Sequence, residues 1–389
     1  MITSKHLPSA GAATGIATLG LASAMGIGRF AFTPLLPMMQ QSLGLSLRHG
    51  AWLASANYIG YFLGALACVI FNPRAGHAAR LSLLAIAILT AAMGLTHSLA
   101  AWLALRLLAG VASAYALIGI SSWILAALEQ RRKPVLAGWA FGGVGLGIMA
   151  AGLMCLAAGV WRQSPGHTWV ALGVVAAAIC ALAWAPLGWS PDAGAPQTTR
   201  SPRNKAVAAE GWMLAFCYGV FGLGYIIPAT FLPAFARQII NDPAVFGWVW
   251  PAFGLAALVS TVASSSLFRR ASPRSIWAWC QLIICAGVLA PALAPSIGTV
   301  LVSTVCVGGT FVVITMMGLR EARKVAGAGA SRLIAAMTAA FAFGQLVGPL
   351  TIPAGTLAQA ILFPSLAAAC LLLVTVIMLM RATAVAAPT

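Results

Sequence analysis

"MGIGRFAFTPLLPMM" (25–39) and "FGLGYIIPATFLPAF" (221–235) decide how this chain is read. At a constant offset of 196, Gly26 falls on Gly222, Gly28 on Gly224, Leu36 on Leu232 and Pro37 on Pro233, while Arg29 falls opposite Tyr225. Trp52 and Trp248 follow at the same offset, and further on "AFGG" (140–143) resembles "AFGQ" (342–345). Such self-similarity implies two copies of one structural unit. The first copy lies in a run from Gly11 to Met39 in which every residue except Arg29 is apolar, small or hydroxylic. That run exceeds the roughly 20 residues a helix needs to cross the hydrocarbon core of a bilayer.

The same character extends from end to end. The 389 residues are 61% hydrophobic and only 7% charged, with a mean hydropathy of +0.97. A water-soluble fold of this length has too little interior to hide that much apolar surface, so the chain reads as a polytopic membrane protein. The apolar runs are continuous rather than alternating, which predicts helices and excludes a closed β-barrel. Runs between polar breaks number twelve; the third (80–96) and ninth (275–292) are short and are required by charge alternation. One break differs in kind: "SPDAGAPQTTRSPRNKAVAAE" (190–210) is rich in Pro, Ala, Ser and charge and reads as a flexible linker. The expected organisation is all-α, with an N-terminal six-helix bundle (1–189), a cytoplasmic linker (190–210) and a C-terminal six-helix bundle (211–389). Six spans preserve orientation, so the bundles are parallel repeats about an axis along the membrane normal. Two-bundle carriers of that kind hold their solute at the bundle interface, near mid-membrane.

The formal charge of +17 reflects topology rather than a nucleic-acid partner. Arg74 and Arg80, Arg131 to Lys133, Arg200 to Lys205, Arg269 to Arg274 and Arg320 to Arg332 occupy alternate loops. The opposite loops hold only Arg48, Arg162 and Arg237. The positive-inside rule makes the first set cytoplasmic, and with it both termini. The start imitates a signal peptide, with Lys5, an apolar run and Ala22-Ser23-Ala24, but the run continues past Ala24 and reads as a retained span. All eight cysteines lie in apolar runs without a CxxC pair and read as small buried hydrophobes. Glycines four apart, such as Gly60 and Gly64 or Gly344 and Gly348, suit close helix packing in lipid. "GGVGLG" (142–147) is no nucleotide loop, having neither a preceding strand nor a following Lys-Ser/Thr.

Twelve spans, a six-plus-six split and a basic central loop resemble the major facilitator superfamily. "GIGRFAFTPLLPMM" followed by "WLASANYIGYFLGAL" (52–66) is similar to its YbfB/YjiJ-like bacterial branch, over essentially the whole chain. "RLLAGVASA" (106–114) resembles the superfamily's RxxxG signature in span 4. The resemblance implies a bacterial cytoplasmic (inner) membrane location and a central cavity lined by spans 1, 4, 7 and 10. The sequence also departs from the pattern. "NPRAGHAAR" (72–80) keeps Arg74 and Gly76 but has Pro73 where the family's gating salt bridge places an acid. "GWAFGGVGLG" in span 5 lacks the antiporter-type Pro, and span 11 instead carries "FGQLVGP".

Arg29 and Arg106 are the two cations at membrane depth. The acids Glu129, Asp192, Glu210, Asp242 and Glu321 all lie in loops or at span ends. Two buried guanidiniums cost roughly 5–7 kcal/mol on insertion scales, to be offset by carbonyls, polar side chains, water or a bound anion. A guanidinium is well suited to bidentate capture of carboxylate or phosphate. The expected substrate-binding set is Arg29 as anchor, Arg106 as support or as a backbone-bonding structural residue, Asn57 and Tyr61 at i, i+4, Tyr218 and Tyr225 at i, i+7, and Gln345. Tyr58 and Tyr115, with Trp248 and Trp250, read as interfacial residues. Pro34, Pro37, Pro228 and Pro233 are expected to loosen the first helix of each half.

No paired carboxylates, nucleophile with base, or metal cluster occurs, so neither an enzyme nor a cofactor or metal is expected. The absent intramembrane acid also disfavours export of cationic drugs and a protein-borne proton. The reading is a monomeric secondary transporter moving a small organic anion, a carboxylate-bearing metabolite, by alternating access. The alternative is an exporter of neutral or amphipathic compounds with structural arginines.

Overall fold

The computed structural model describes residues 8–188, 205–239, 247–350 and 357–385, and among them there is no strand. The helices are α1 (Ala10–Leu43), α2 (Leu47–Phe71), α3 (Ala75–Met93), α4 (Leu99–Gln130), α5 (Ala137–Val160) and α6 (Pro165–Leu187). After residues 189–204, which include most of the expected linker and lie outside the described residues, come α7 (Lys205–Ile239), α8 (Val249–Leu267) and α9 (Pro273–Leu293). The chain then forms α10 (Ile297–Ala326), α11 (Ala330–Leu350) and α12 (Leu357–Val385).

Eleven segments are long and apolar enough to cross a membrane. One of them, Ile297–Gly348, has 52 residues. At 1.5 Å per residue it would be about 78 Å long, more than twice the hydrocarbon thickness. It is in fact α10 and α11, folded back on each other through the tight turn Gly327–Gly329. That makes twelve candidate crossings among the described residues, the number expected from the sequence.

Several helices outrun their apolar cores because charged residues at their ends find partners. α3 starts five residues before the apolar run, and its Arg80 lies over the Trp184 ring at 5.3 Å. α7 begins at Lys205, so residues 205–210, expected to end the linker, are already helical. α10 continues through Glu321 and Arg323, and both are ion-paired. The outer faces carry apolar residues such as Ile70, Leu182 and Phe363, all strongly exposed, as a surface solvated by lipid requires.

The repeat seen in sequence recurs in the packing. In the first six helices α1 packs on α5, α2 on α4, and α3 on both α4 and α6. Six helices later α7 packs on α11, α8 on α10, and α9 on both α10 and α12. The equivalent contacts use glycine in the same way: a Cβ on Gly26 would collide with the Gly147 backbone, and one on Gly222 with the Phe341 backbone.

The two bundles meet where α5 packs on α8 and α2 on α11. At the first seam a Cβ on Gly254 would run into the backbone of Gly145 and Met149. Overpacking of this kind costs about 1–3 kcal/mol. Gly254→Val is therefore expected to lower the thermal unfolding midpoint in detergent by several degrees. Gly309→Val, whose Cβ would meet open space, should not. Equal midpoints for the two variants would refute close packing at this seam.

Candidate functional site

The first helix is not uniform. Ala22–Phe30 is π-helical, between the regular segments Ala10–Leu21 and Phe32–Leu43. The loosening expected at Pro34 and Pro37 thus sits one turn earlier than the prolines themselves. In π register the Arg29 carbonyl would accept from residue 34, a proline without an N–H. Arg106 of α4 supplies donors instead: its Nη1 donates to the Gly28 carbonyl and its Nη2 to the Arg29 carbonyl, both at 3.4 Å. Its guanidinium also lies 4.6 Å from the Phe32 ring centre. Arg106 is buried and bonds backbone through two of its nitrogens, while its Nε has no partner.

Arg29 is placed differently. It is 2% exposed and projects from the π segment toward the second bundle, where its Nη2 donates to Gln345 Oε1 of α11. Its Nε and Nη1 have no hydrogen-bond partner, nor has the Gln345 amide nitrogen. The guanidinium carbon stands 3.8 Å from the centre of the Tyr61 ring and 5.7 Å from that of Tyr58. Such cation–π contacts recover about 0.5–2 kcal/mol, less than the roughly 3 kcal/mol that a midplane arginine costs on insertion scales. The guanidinium thus keeps two unpartnered nitrogens at a closed spot between the bundles.

The other sequence-expected residues divide. Asn57 donates from Nδ2 to the Arg106 carbonyl at 3.0 Å, leaving its buried Oδ1 unpartnered. Tyr225, at the repeat position of Arg29, is fully buried and within electrostatic reach of Arg29, Tyr58 and Tyr61. Its hydroxyl has no partner. Tyr218 instead packs inside the second bundle, edge-on to Trp277 at 5.9 Å and against Phe341 at 5.2 Å.

Sequence reasoning missed the rings that complete the shell. Tyr58 faces Arg29 rather than an interface. Trp250 is 7% exposed and stacks on Phe253 at 5.2 Å, so its assignment to an interfacial belt is corrected; Trp248, at 59%, is the exposed neighbour. Phe30 contacts both Trp250 and Phe311 from across the bundle interface. The signal available was spacing: Trp250, Phe253 and Ala257 fall on one face of α8, and that face is buried.

No described acid neutralises Arg29. Glu321 is buried in α10, but ten residues past Phe311, about 15 Å along the helix axis, and its Oε1 accepts from Arg274 Nε at 2.7 Å. Arg274 also pairs with Glu210 of α7. Glu129 at the end of α4 pairs with Arg323 of α10 and links the bundles on the side where α7 begins. Among the described residues no cluster of His, Cys, Asp or Glu could hold a metal ion.

Comparison with known proteins places the sequence in a family and the fold among solved structures. Residues 21–381 match the family described as "Uncharacterised MFS-type transporter YbfB". Among solved structures, the human organic anion transporter MFSD10 (TETRAN) superposes with a TM-score of 0.73 at 12% identity, covering 96% of this chain and all of that one. FucP, a major facilitator transporter in the outward conformation, gives 0.66 at 15% identity over 93% of this chain and 97% of its own. Among curated proteins no relative matches. At these identities the structures share the fold, while the family match covers nearly the whole sequence. This chain therefore belongs to the YbfB-type family of the major facilitator superfamily, and is a multi-pass membrane transporter rather than an enzyme.

Proposed function

We propose that the protein carries a small organic anion across the bacterial cytoplasmic membrane by alternating access, with Arg29 as the charge anchor. One observation carries the reading: a buried guanidinium at the bundle interface with two nitrogens unsatisfied and no acid beside it. An uncompensated buried charge is costly and persists where it is used. A carboxylate suits these groups, since it only accepts hydrogen bonds and Arg29, Gln345 and Tyr225 all offer unpartnered donors. Gln345 Oε1 then acts as a neutral stand-in, released from Arg29 when the solute arrives. MFSD10, named as an organic anion transporter, lends the class some support by fold alone.

The rest of the site follows from the same proposal. Arg106 and Asn57 hold the α1–α4 junction that aims Arg29, and Tyr61 supports the guanidinium face. Tyr218 acts from further away, by packing. The bundles (1–189 and 211–389) rock as monomeric rigid bodies about the α5–α8 and α2–α11 seams. With the basic loops inside, both termini are cytoplasmic, and the Glu129–Arg323 pair closes the cytoplasmic side.

The test is counterflow into proteoliposomes loaded with a panel of carboxylates, each paired with its amide or alcohol. Flux of at least one carboxylate, with its neutral counterpart transported tenfold more slowly or worse, is the expected result. Equal flux for charged and neutral partners would overturn the reading in favour of an exporter of neutral amphipathic compounds.

A further inference from the structure

We infer that the solute is a monoanion whose single carboxylate is carried on a flat aromatic body, and that polyhydroxylated acids and dianions are rejected. This rests on the anchor role of Arg29 and adds the class of molecule that the anchor holds.

The first ground is a count of charges and donors. Among the expected site residues, the unpartnered buried groups that can donate include Arg29 Nε and Nη1, Gln345 Nε2 and the Tyr61 and Tyr225 hydroxyls, against Asn57 Oδ1, which only accepts. The excess of donors suits the two oxygens of one carboxylate. A second carboxylate would find at Arg106 only the single Nε donor, because Nη1 and Nη2 are committed to the Gly28 and Arg29 carbonyls and the guanidinium face to the Phe32 ring.

The second ground is what surrounds the donors. Phe311 stacks on Tyr225 at 5.2 Å and 15°, lies 5.3 Å from Phe253, and meets Phe30 edge-on at 6.1 Å. Trp250 continues the series, parallel to Phe253 at 5°. These rings come from both bundles: Phe30 from α1, the others from α7, α8 and α10. A planar apolar body entering beside Arg29 would exchange ring–ring contacts for ring–solute contacts at little loss. The hydroxyls of a sugar acid would lose water and gain only ring faces, leaving them unpaired. Phe30 and Phe311, touching across the interface, are then the pair that the body parts.

Four probes separate the outcomes: 3-phenylpropionate, gluconate, phthalate and 3-phenylpropan-1-ol, each measured by thermal shift of the purified protein and by counterflow in proteoliposomes. 3-Phenylpropionate is expected to bind at least tenfold more tightly than the other three. Phe311→Ala should reduce that preference at least fivefold; Trp250→Leu is the second variant, should the first fold poorly. Tighter binding of gluconate or phthalate would overturn this inference while leaving the Arg29 anchor standing. Equal response to the phenyl alcohol and the phenyl acid would overturn the anchor itself, and the inference with it. Failure of folded protein to respond to any aromatic monocarboxylate would also overturn it.

Discussion

Arg29→Gln is expected to reduce solute flux in proteoliposomes by about 100-fold or more, while leaving the ligand-free protein at least as stable as the parent. The first half follows from the size of a buried charge pair: truncating one partner costs about 2–5 kcal/mol, and about 3 kcal/mol is already a factor of more than 100 in binding. The second half follows from the present accounting around the residue. Glutamine removes a guanidinium whose Nε and Nη1 are unsatisfied and whose charge no described acid balances. A group that is kept for function at a cost to the fold should give that cost back when it is removed. Arg29→Lys keeps the charge but loses the planar fork, and a loss of about tenfold or more is expected.

Arg106→Gln should behave in the opposite sense. Its guanidinium satisfies two carbonyls at the end of the π segment, so its loss leaves buried acceptors without donors, at about 1–3 kcal/mol each in stability. Whatever protein folds should still carry solute within about tenfold of the parent rate. The two arginines are thus separated by pairing flux with detergent melting curves. Normal flux for Arg29→Gln, or a large loss of ligand-free stability, would remove its anchor role.

How much of this was legible beforehand depends on the range over which each interaction acts. The twelve helices and their duplication were readable because apolar length and glycine spacing are local signals; Gly26 and Gly222 meet their partners in equivalent ways in both bundles. The depth of Arg29 could be read from its position in the run, and so could the absence of a nearby acid. The π segment could not, because it depends on Arg106 arriving 77 residues away in sequence to satisfy the Arg29 carbonyl that Pro34 leaves open. Trp250 was misjudged for a related reason: position near a span end suggests an interface, but the ring is turned inward by Phe30 and Phe253, a tertiary matter. Glu210, Arg274 and Glu321 read as separate charges in loops or at span ends. They belong to the ends of three helices, and nothing in their local sequence shows that those ends converge.

That convergence sets up the second large effect. Arg274→Met is expected to destabilise the protein by about 3–5 kcal/mol, the usual consequence of removing one partner from a buried ionic cluster. The Arg274 side chain is 8% exposed and Glu321 only 2%, so neither can exchange its partner for water, whereas Glu210, at 37%, can. Without the guanidinium, Glu321 would keep a buried carboxylate whose Oε2 already lacks a partner. The triple variant Arg274→Met, Glu210→Gln, Glu321→Gln should recover most of the loss, because it removes the charges along with their pairing. The cluster ties together the ends of α7, α9 and α10, which must stay joined if the second bundle is to turn as one body. Melting curves of the single and triple variants in detergent decide the matter: a single variant as stable as the parent would show that these three ends are held by packing alone, and a triple variant no better than the single would show that shape rather than charge makes the joint.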